Sequence, residues 1–223
     1  MSEAAAAPGE HPAHGADPHL AHHFSSLDRQ VDATRLGMWL FLCTEVLLFS
    51  PLFVAYSVYR YSFPAAFAAS SRSSEIWAGT VNTLVLITSS LTVALAIHFV
   101  RTDKPRVAVV CLAITIAFAL AFLGIKAIEY TAHFHEHQLP GQFYRFEGVR
   151  LPGASMYWSL YFLMTGLHGL HVLIGMTVLS VMLYRTAHSH YSSHYYVGIE
   201  LAGLYWHLVD LIWIFLFPLL YLI

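Results

Sequence analysis

The sequence predicts an all-α fold, a polytopic membrane bundle of five transmembrane helices, and three observations predict it. The 223 residues are 57% hydrophobic and 11% charged, with a mean hydropathy of +0.59, a composition foreign to a soluble domain of this size. Five uncharged or nearly uncharged stretches are each long enough, at about 1.5 Å per residue, to cross a hydrocarbon layer of roughly 30 Å. The segments between them carry helix breakers and charges, and no soluble domain fits there.

Taken in order, residues 1–35 are rich in Ala, Pro, Gly and His and lack the apolar periodicity that could bury a core. They read as a disordered cytoplasmic arm, in which His11, His14, His19, His22 and His23 are incidental. The arm holds no apolar core of the secretory-signal kind, so the first membrane helix is expected to act as the targeting signal and to be retained. The transmembrane domain reads as residues 36–223, with spans at 36–59, 76–100, 107–130, 156–184 and 201–222. Pro64, the turn from Arg101 to Pro105, and Pro140-Gly141 punctuate the connections. Pro51 and Pro218 inside the first and fifth spans predict kinks.

Charge narrows the function classes. A net charge of −2 with 15 histidines leaves no basic stripe to neutralise phosphates, which excludes nucleic acid as a partner. Cys43 and Cys111 lie in apolar runs with neither a CxxC zinc pattern nor a CxxCH haem-attachment pattern, and read as packing residues. Arg29, Arg35, Arg101, Lys104, Arg106 and Arg185 fall on one side of the membrane, against Arg60, Arg72, Arg145 and Arg150 on the other. The excess marks the cytoplasmic side, giving a cytoplasmic N-terminus and a periplasmic C-terminus.

An ionisable group in lipid is costly unless it faces protein or water, so each is a functional candidate. Glu45 lies in the first span, His168 and His171 in the fourth, and His207 and Asp210 in the fifth. Residues three apart share a helix face, which pairs His207 with Asp210, His168 with His171, and Lys126 with Glu129. Lys126 and Glu129 fall at the outer end of the third span, where a local ion pair and snorkelling account for them. For the other five, three readings stand open: an interhelical hydrogen-bond network that fixes packing, proton exchange at Glu45 with histidines as relays, and metal or haem ligation. Thr165, Gly166, Gly169 and Gly175 form a small-residue stripe for close helix approach. His133, His135 and His137 read as a solvated loop face just beyond the third span.

The stretch Arg35-Leu-Gly-Met-Trp-Leu-Phe-Leu-Cys-Thr-Glu45-Val resembles the opening of the five-helix core of haem-copper oxidase subunit III. So do Asn82-Thr-Leu-Val-Leu, Lys126-Ala-Ile-Glu-Tyr130, Gly166-Leu-His-Gly-Leu-His171-Val, and Tyr205-Trp-His-Leu-Val-Asp210-Leu-Ile-Trp213, in that order along the chain. The resemblance implies a subunit that binds no haem or copper itself and packs beside catalytic subunit I and subunit II, which carry those cofactors, in a proton-pumping terminal oxidase of a bacterial inner membrane. It also implies that Glu45 is associated with sustained proton uptake and with protection of the active site during turnover. Longer relatives have seven helices, the first two forming a cleft for phospholipids; this sequence shows neither, which leaves a bound lipid open. Five-helix forms accompany cytochrome c oxidases, quinol oxidases and nitric oxide reductases.

Two readings from other classes compete. A standalone haem or metal reductase would use His168, His171 and His207. A proton-coupled transporter would use the intramembrane carboxylates, although no repeat relates the two halves and no broken helix pair is evident.

Overall fold

A computed structural model describes residues 20–138 and 148–222. Among these residues the chain is wholly helical: α1 (Leu27–Ser62), α2 (Pro64–Arg72), α3 (Ile76–Arg101), α4 (Pro105–His135), α5 (Ala154–Ala187) and α6 (Val197–Tyr221). All but α2 are long and apolar enough to cross a membrane, and the chain is a multi-pass membrane protein.

The helices outrun the apolar stretches that announce them. α1 begins at Leu27, well ahead of Leu36, because the Ser26 hydroxyl accepts from the Arg29 amide and Asp28 sits in the first turn. Residues 27–35, read from composition as part of a disordered arm, are thus helical, while residues 1–19 of that arm lie outside the described residues. α4 likewise runs on to His135. The short α2, not foreseen from the sequence, starts on Pro64, whose fixed φ suits a first helical position. It buries Phe67 edge-on between Tyr56 and Tyr157, at ring-centroid distances of 5.4 and 5.5 Å.

Four helices form a closed ring, α3 against α4 and α6, and α5 against α4 and α6, with α1 leaning on α5 and α6. Lipid tails are as apolar as leucine, so helices associate here through tight packing and polar bonds between them. α6 supplies both. Trp206 and Trp213 are fully buried, and their indole N–H groups donate to Ser89 Oγ at 3.0 Å and Thr83 Oγ1 at 3.1 Å on α3. Thr92 and Thr115 join α3 to α4 at 2.7 Å. Among the glycines of the small-residue stripe on α5, Gly175 alone makes a close approach: a Cβ there would stand 2.8 Å from the Trp206 ring, whereas Gly169 has nothing within 4 Å.

Candidate functional site

The polar residues singled out in the sequence separate into three centres. In the first, α1 brings Glu45 and α5 brings His171 together, with Glu45 Oε2 2.7 Å from His171 Nε2. The other ring nitrogen, Nδ1, is 2.7 Å from the Leu167 carbonyl oxygen. A carbonyl only accepts, so Nδ1 carries a hydrogen and donates it. Nε2 and Oε2 cannot face each other as two lone pairs at that distance, so one proton lies between them. The contact is a hydrogen bond that ties α1 to α5. Phe49 packs against the imidazole at 5.2 Å, and the side chains of His171 and Glu45 are 9% and 14% exposed, which keeps the pair nearly dry.

In the second centre, Lys126 and Glu129 do not snorkel: their side chains are 9% and 1% exposed. They are enclosed because α5 and α6 close over them with two tyrosines. Lys126 Nζ donates to Glu129 Oε2 at 2.9 Å, to the Tyr161 hydroxyl at 3.0 Å and to the Tyr221 hydroxyl at 2.9 Å. Both phenols donate to Glu129 Oε1, at 2.5 Å from Tyr161 and 2.6 Å from Tyr221. Every ammonium hydrogen has an acceptor and every phenol both gives and receives, so the tetrad is saturated and neutral as a unit. His133, expected in a solvated loop, is instead buried on the continued α4, with Nε2 3.7 Å from Glu129 Oε1 and its ring 4.8 Å from that of Trp158.

The third centre departs from the expected His207 and Asp210 pairing. His207 Nδ1 meets Ser90 Oγ of α3 at 2.6 Å. Asp210 is 3% exposed, with Ser90 as its polar neighbour, yet neither carboxyl oxygen reaches full hydrogen-bond geometry. His168 stands apart, fully buried between Phe122 and Trp213, with neither ring nitrogen hydrogen-bonded.

Tyr161, Tyr221 and Glu200 are the polar partners that reading the sequence missed. Glu200 binds Arg35 of α1 at 2.9 Å and Arg101 of α3 at 2.6 Å, tying three helices at the end where α1 enters. The acidic residue in the first turn of the last span was the signal that could have found it. Among the described residues, no three His, Cys, Asp or Glu side chains form a group that could hold a metal ion.

Fold and site together define a multi-pass helical membrane protein whose buried polar groups bond across its helices. The sequence profile described as cytochrome c oxidase subunit III matches residues 20–223. Cytochrome c oxidase subunit 3 of Prototheca wickerhamii is 31% identical over 199 residues, covering 84% of this chain and 68% of that protein. The corresponding protein of Branchiostoma lanceolatum is 34% identical with the same coverage. A protein named probable quinol oxidase subunit 3, from Staphylococcus saprophyticus, is 28% identical over 207 residues, 92% of this chain and 97% of its own length. The chain belongs to the cytochrome c oxidase subunit III family.

Proposed function

We propose that the chain is the non-redox third subunit of a cytochrome c oxidase type of haem-copper terminal oxidase, working in aerobic respiratory electron transport. Haem and copper reside in catalytic subunit I and subunit II, and this chain contributes proton supply and durability to them. It sits in a bacterial inner membrane with its N-terminus in the cytoplasm.

The observation that carries the reading is the contact of Glu45 with His171 at 2.7 Å. Two groups that differ by a single proton, nearly closed to water and locked by a backbone carbonyl on the far side, can give and take a proton without moving a helix. Its place between α1 and α5 puts it beside the most lipid-exposed helix of the bundle, α1, the natural face for another subunit.

The test is to tag the C-terminus in the native host, purify in mild detergent, record visible spectra and identify the co-purifying chains by mass. Haem-copper subunits with oxidase activity are expected, and assays with reduced cytochrome c and with quinol name the donor. A chain that purifies alone with its own Soret band, or without pigment and with proton flux in liposomes, would overturn the reading.

A further inference from the structure

The two phenols of the buried tetrad share one base. Tyr161 of α5 and Tyr221 of α6 are fully buried, and both give their phenol hydrogen to the same atom, Glu129 Oε1, at 2.5 and 2.6 Å. Their own oxygens stand 3.0 Å apart. A phenol already hydrogen-bonded to a carboxylate can lose an electron and a proton in one event, because the proton acceptor is in place. Lys126 Nζ lies 5.0 Å from the centre of the Tyr161 ring and 5.6 Å from that of Tyr221. A radical cation on either ring would set like charges side by side in a dry site, so the proton must leave with the electron.

We propose that Tyr161 and Tyr221 form a redox-active pair that takes up oxidising equivalents from lipid peroxyl radicals in the surrounding bilayer. The way to the lipid is Tyr130 of α4, whose ring centroid is 6.5 Å from that of Tyr161. Trp158 and Trp213, the pair's other aromatic neighbours, are fully buried, whereas Tyr130 is half-buried and faces the groove between α4 and α5. Tyr130 has no base of its own. Its hydroxyl meets Thr165 Oγ1 at 2.6 Å, and Thr165 gives its only hydrogen to the Tyr161 carbonyl, so Thr165 accepts from Tyr130 and cannot keep its proton. Tyr130 therefore conducts the electron, and the pair on Glu129 holds the radical.

A peroxyl radical at this face gains one electron through the Tyr130 ring and one proton from water at the membrane boundary, and leaves as a hydroperoxide. Tyr161 supplies the electron and passes its phenol proton to Glu129 Oε1. It becomes a neutral phenoxyl radical, Glu129 becomes a carboxylic acid, and the tetrad gains one positive charge. Tyr221 can then give its hydrogen atom across the 3.0 Å gap to the Tyr161 oxygen, so either phenol carries the radical. One electron from a membrane quinol, with the proton returned by Glu129, restores the phenol.

The pair carries a mark by which its radical is recognised. Lys126 Nζ donates to the Tyr161 and Tyr221 oxygens at 3.0 and 2.9 Å, so a radical on either phenol has a lysine nitrogen in direct contact. The only other lysine of the chain, Lys104, caps the start of α4 at its opposite end.

The test is electron paramagnetic resonance on the intact purified complex in egg phosphatidylcholine vesicles, frozen after a lipid-soluble azo initiator has released peroxyl radicals. A tyrosyl signal is expected that narrows with ring-deuterated tyrosine and couples to lysine labelled with heavy nitrogen at Nζ. The coupled signal is expected to be lost when Tyr161→Phe and Tyr221→Phe are combined, and its yield to fall severalfold in Tyr130→Leu, which leaves the tetrad whole. If the double variant does not assemble, the lysine coupling in the wild type still decides. A wild type without a tyrosyl signal, a signal without that coupling, or a yield unchanged in Tyr130→Leu overturns the proposal. The measurement requires no oxidase activity, so its failure is separate from failure of the function proposed above.

Discussion

The Tyr221 hydroxyl donates to Glu129 Oε1 at 2.6 Å across 92 residues of sequence, so the last turn of α6 completes the hydrogen bonding of a buried charge on α4. The same hydroxyl accepts from Lys126 at 2.9 Å. Tyr221→Phe removes a donor from a carboxylate and an acceptor from an ammonium group, both enclosed. We expect a loss of about 1–3 kcal/mol, read as a lower thermal midpoint of the complex, with assembly retained. A midpoint equal to that of the wild type would mean that the tetrad contributes nothing to stability.

Lys126 tests the charge itself. Lys126→Met leaves the enclosed Glu129 with two phenol donors and no cation, which should cost about 3–5 kcal/mol and reduce the amount of subunit in the membrane. Removing both charges, as Lys126→Met with Glu129→Leu, should recover much of that loss, because the uncompensated charge rather than the missing attraction dominates. The check is a double-mutant cycle on thermal midpoints. A double variant worse than the sum of the singles would contradict this account.

Which parts of this were legible beforehand follows from what an apolar run reveals. Length and hydropathy identify the five membrane helices, since lipid imposes both. They do not show which side of a helix faces inward when it is apolar all round, as α4 and α5 are. Spacing on one helix therefore exposed Lys126 with Glu129, while Tyr161 and Tyr221, on other helices, were invisible as partners. For the same reason Asp210 and His207 looked like a pair, although His207 bonds Ser90 on α3 and neither Asp210 oxygen reaches hydrogen-bond geometry. Glu45 and His171 each stood out as ionisable groups in apolar spans, but only the packing of α1 on α5 paired them. The start of α1 was missed because a capped helical turn need not be apolar.

Gly175 should be the least replaceable glycine of α5. A Cβ there would lie 2.8 Å from Trp206, whose indole is fully buried and bonded to Ser89. Gly175→Ala must push the ring away and strain that bond, a loss of about 1–3 kcal/mol by overpacking. Gly169→Ala, in open space, should be near neutral. Thermal midpoints of the two variants decide it, and equal values would count against the close approach of α5 and α6.

The turn between α3 and α4 carries a contact that depends on pH. Asp103 accepts from the Ser193 amide at 3.0 Å, and this bond holds its carboxyl below the ordinary aspartate range. A carboxyl depressed in the folded chain contributes stability that is complete above its unfolded value and lost as pH falls through the folded one. Clamping of the 188–196 loop should therefore weaken only in acid. Hydrogen exchange at the Ser193 amide, compared with Asp103→Asn at each pH, measures it: protection is expected to exceed that of the variant at neutral pH and to converge on it in acid. A difference that persists at low pH would refute the linkage.

Glu45→Gln separates the shape of the Glu45 and His171 pair from its chemistry. Glutamine keeps the length of the side chain, and its amide can donate to His171 Nε2 once the ring is neutral, while Nδ1 still donates to Leu167. Packing against Phe49 is kept, so the complex should assemble with normal stability. What is lost is the exchangeable proton, because an amide does not titrate. Slower turnover, or a shorter catalytic lifetime under continuous oxygen reduction, is the expected result. Steady-state rates across pH and the number of turnovers before inactivation are the measurements. If both match the wild type in an assembled complex, the pair is a packing device and the proton it holds has no part in catalysis.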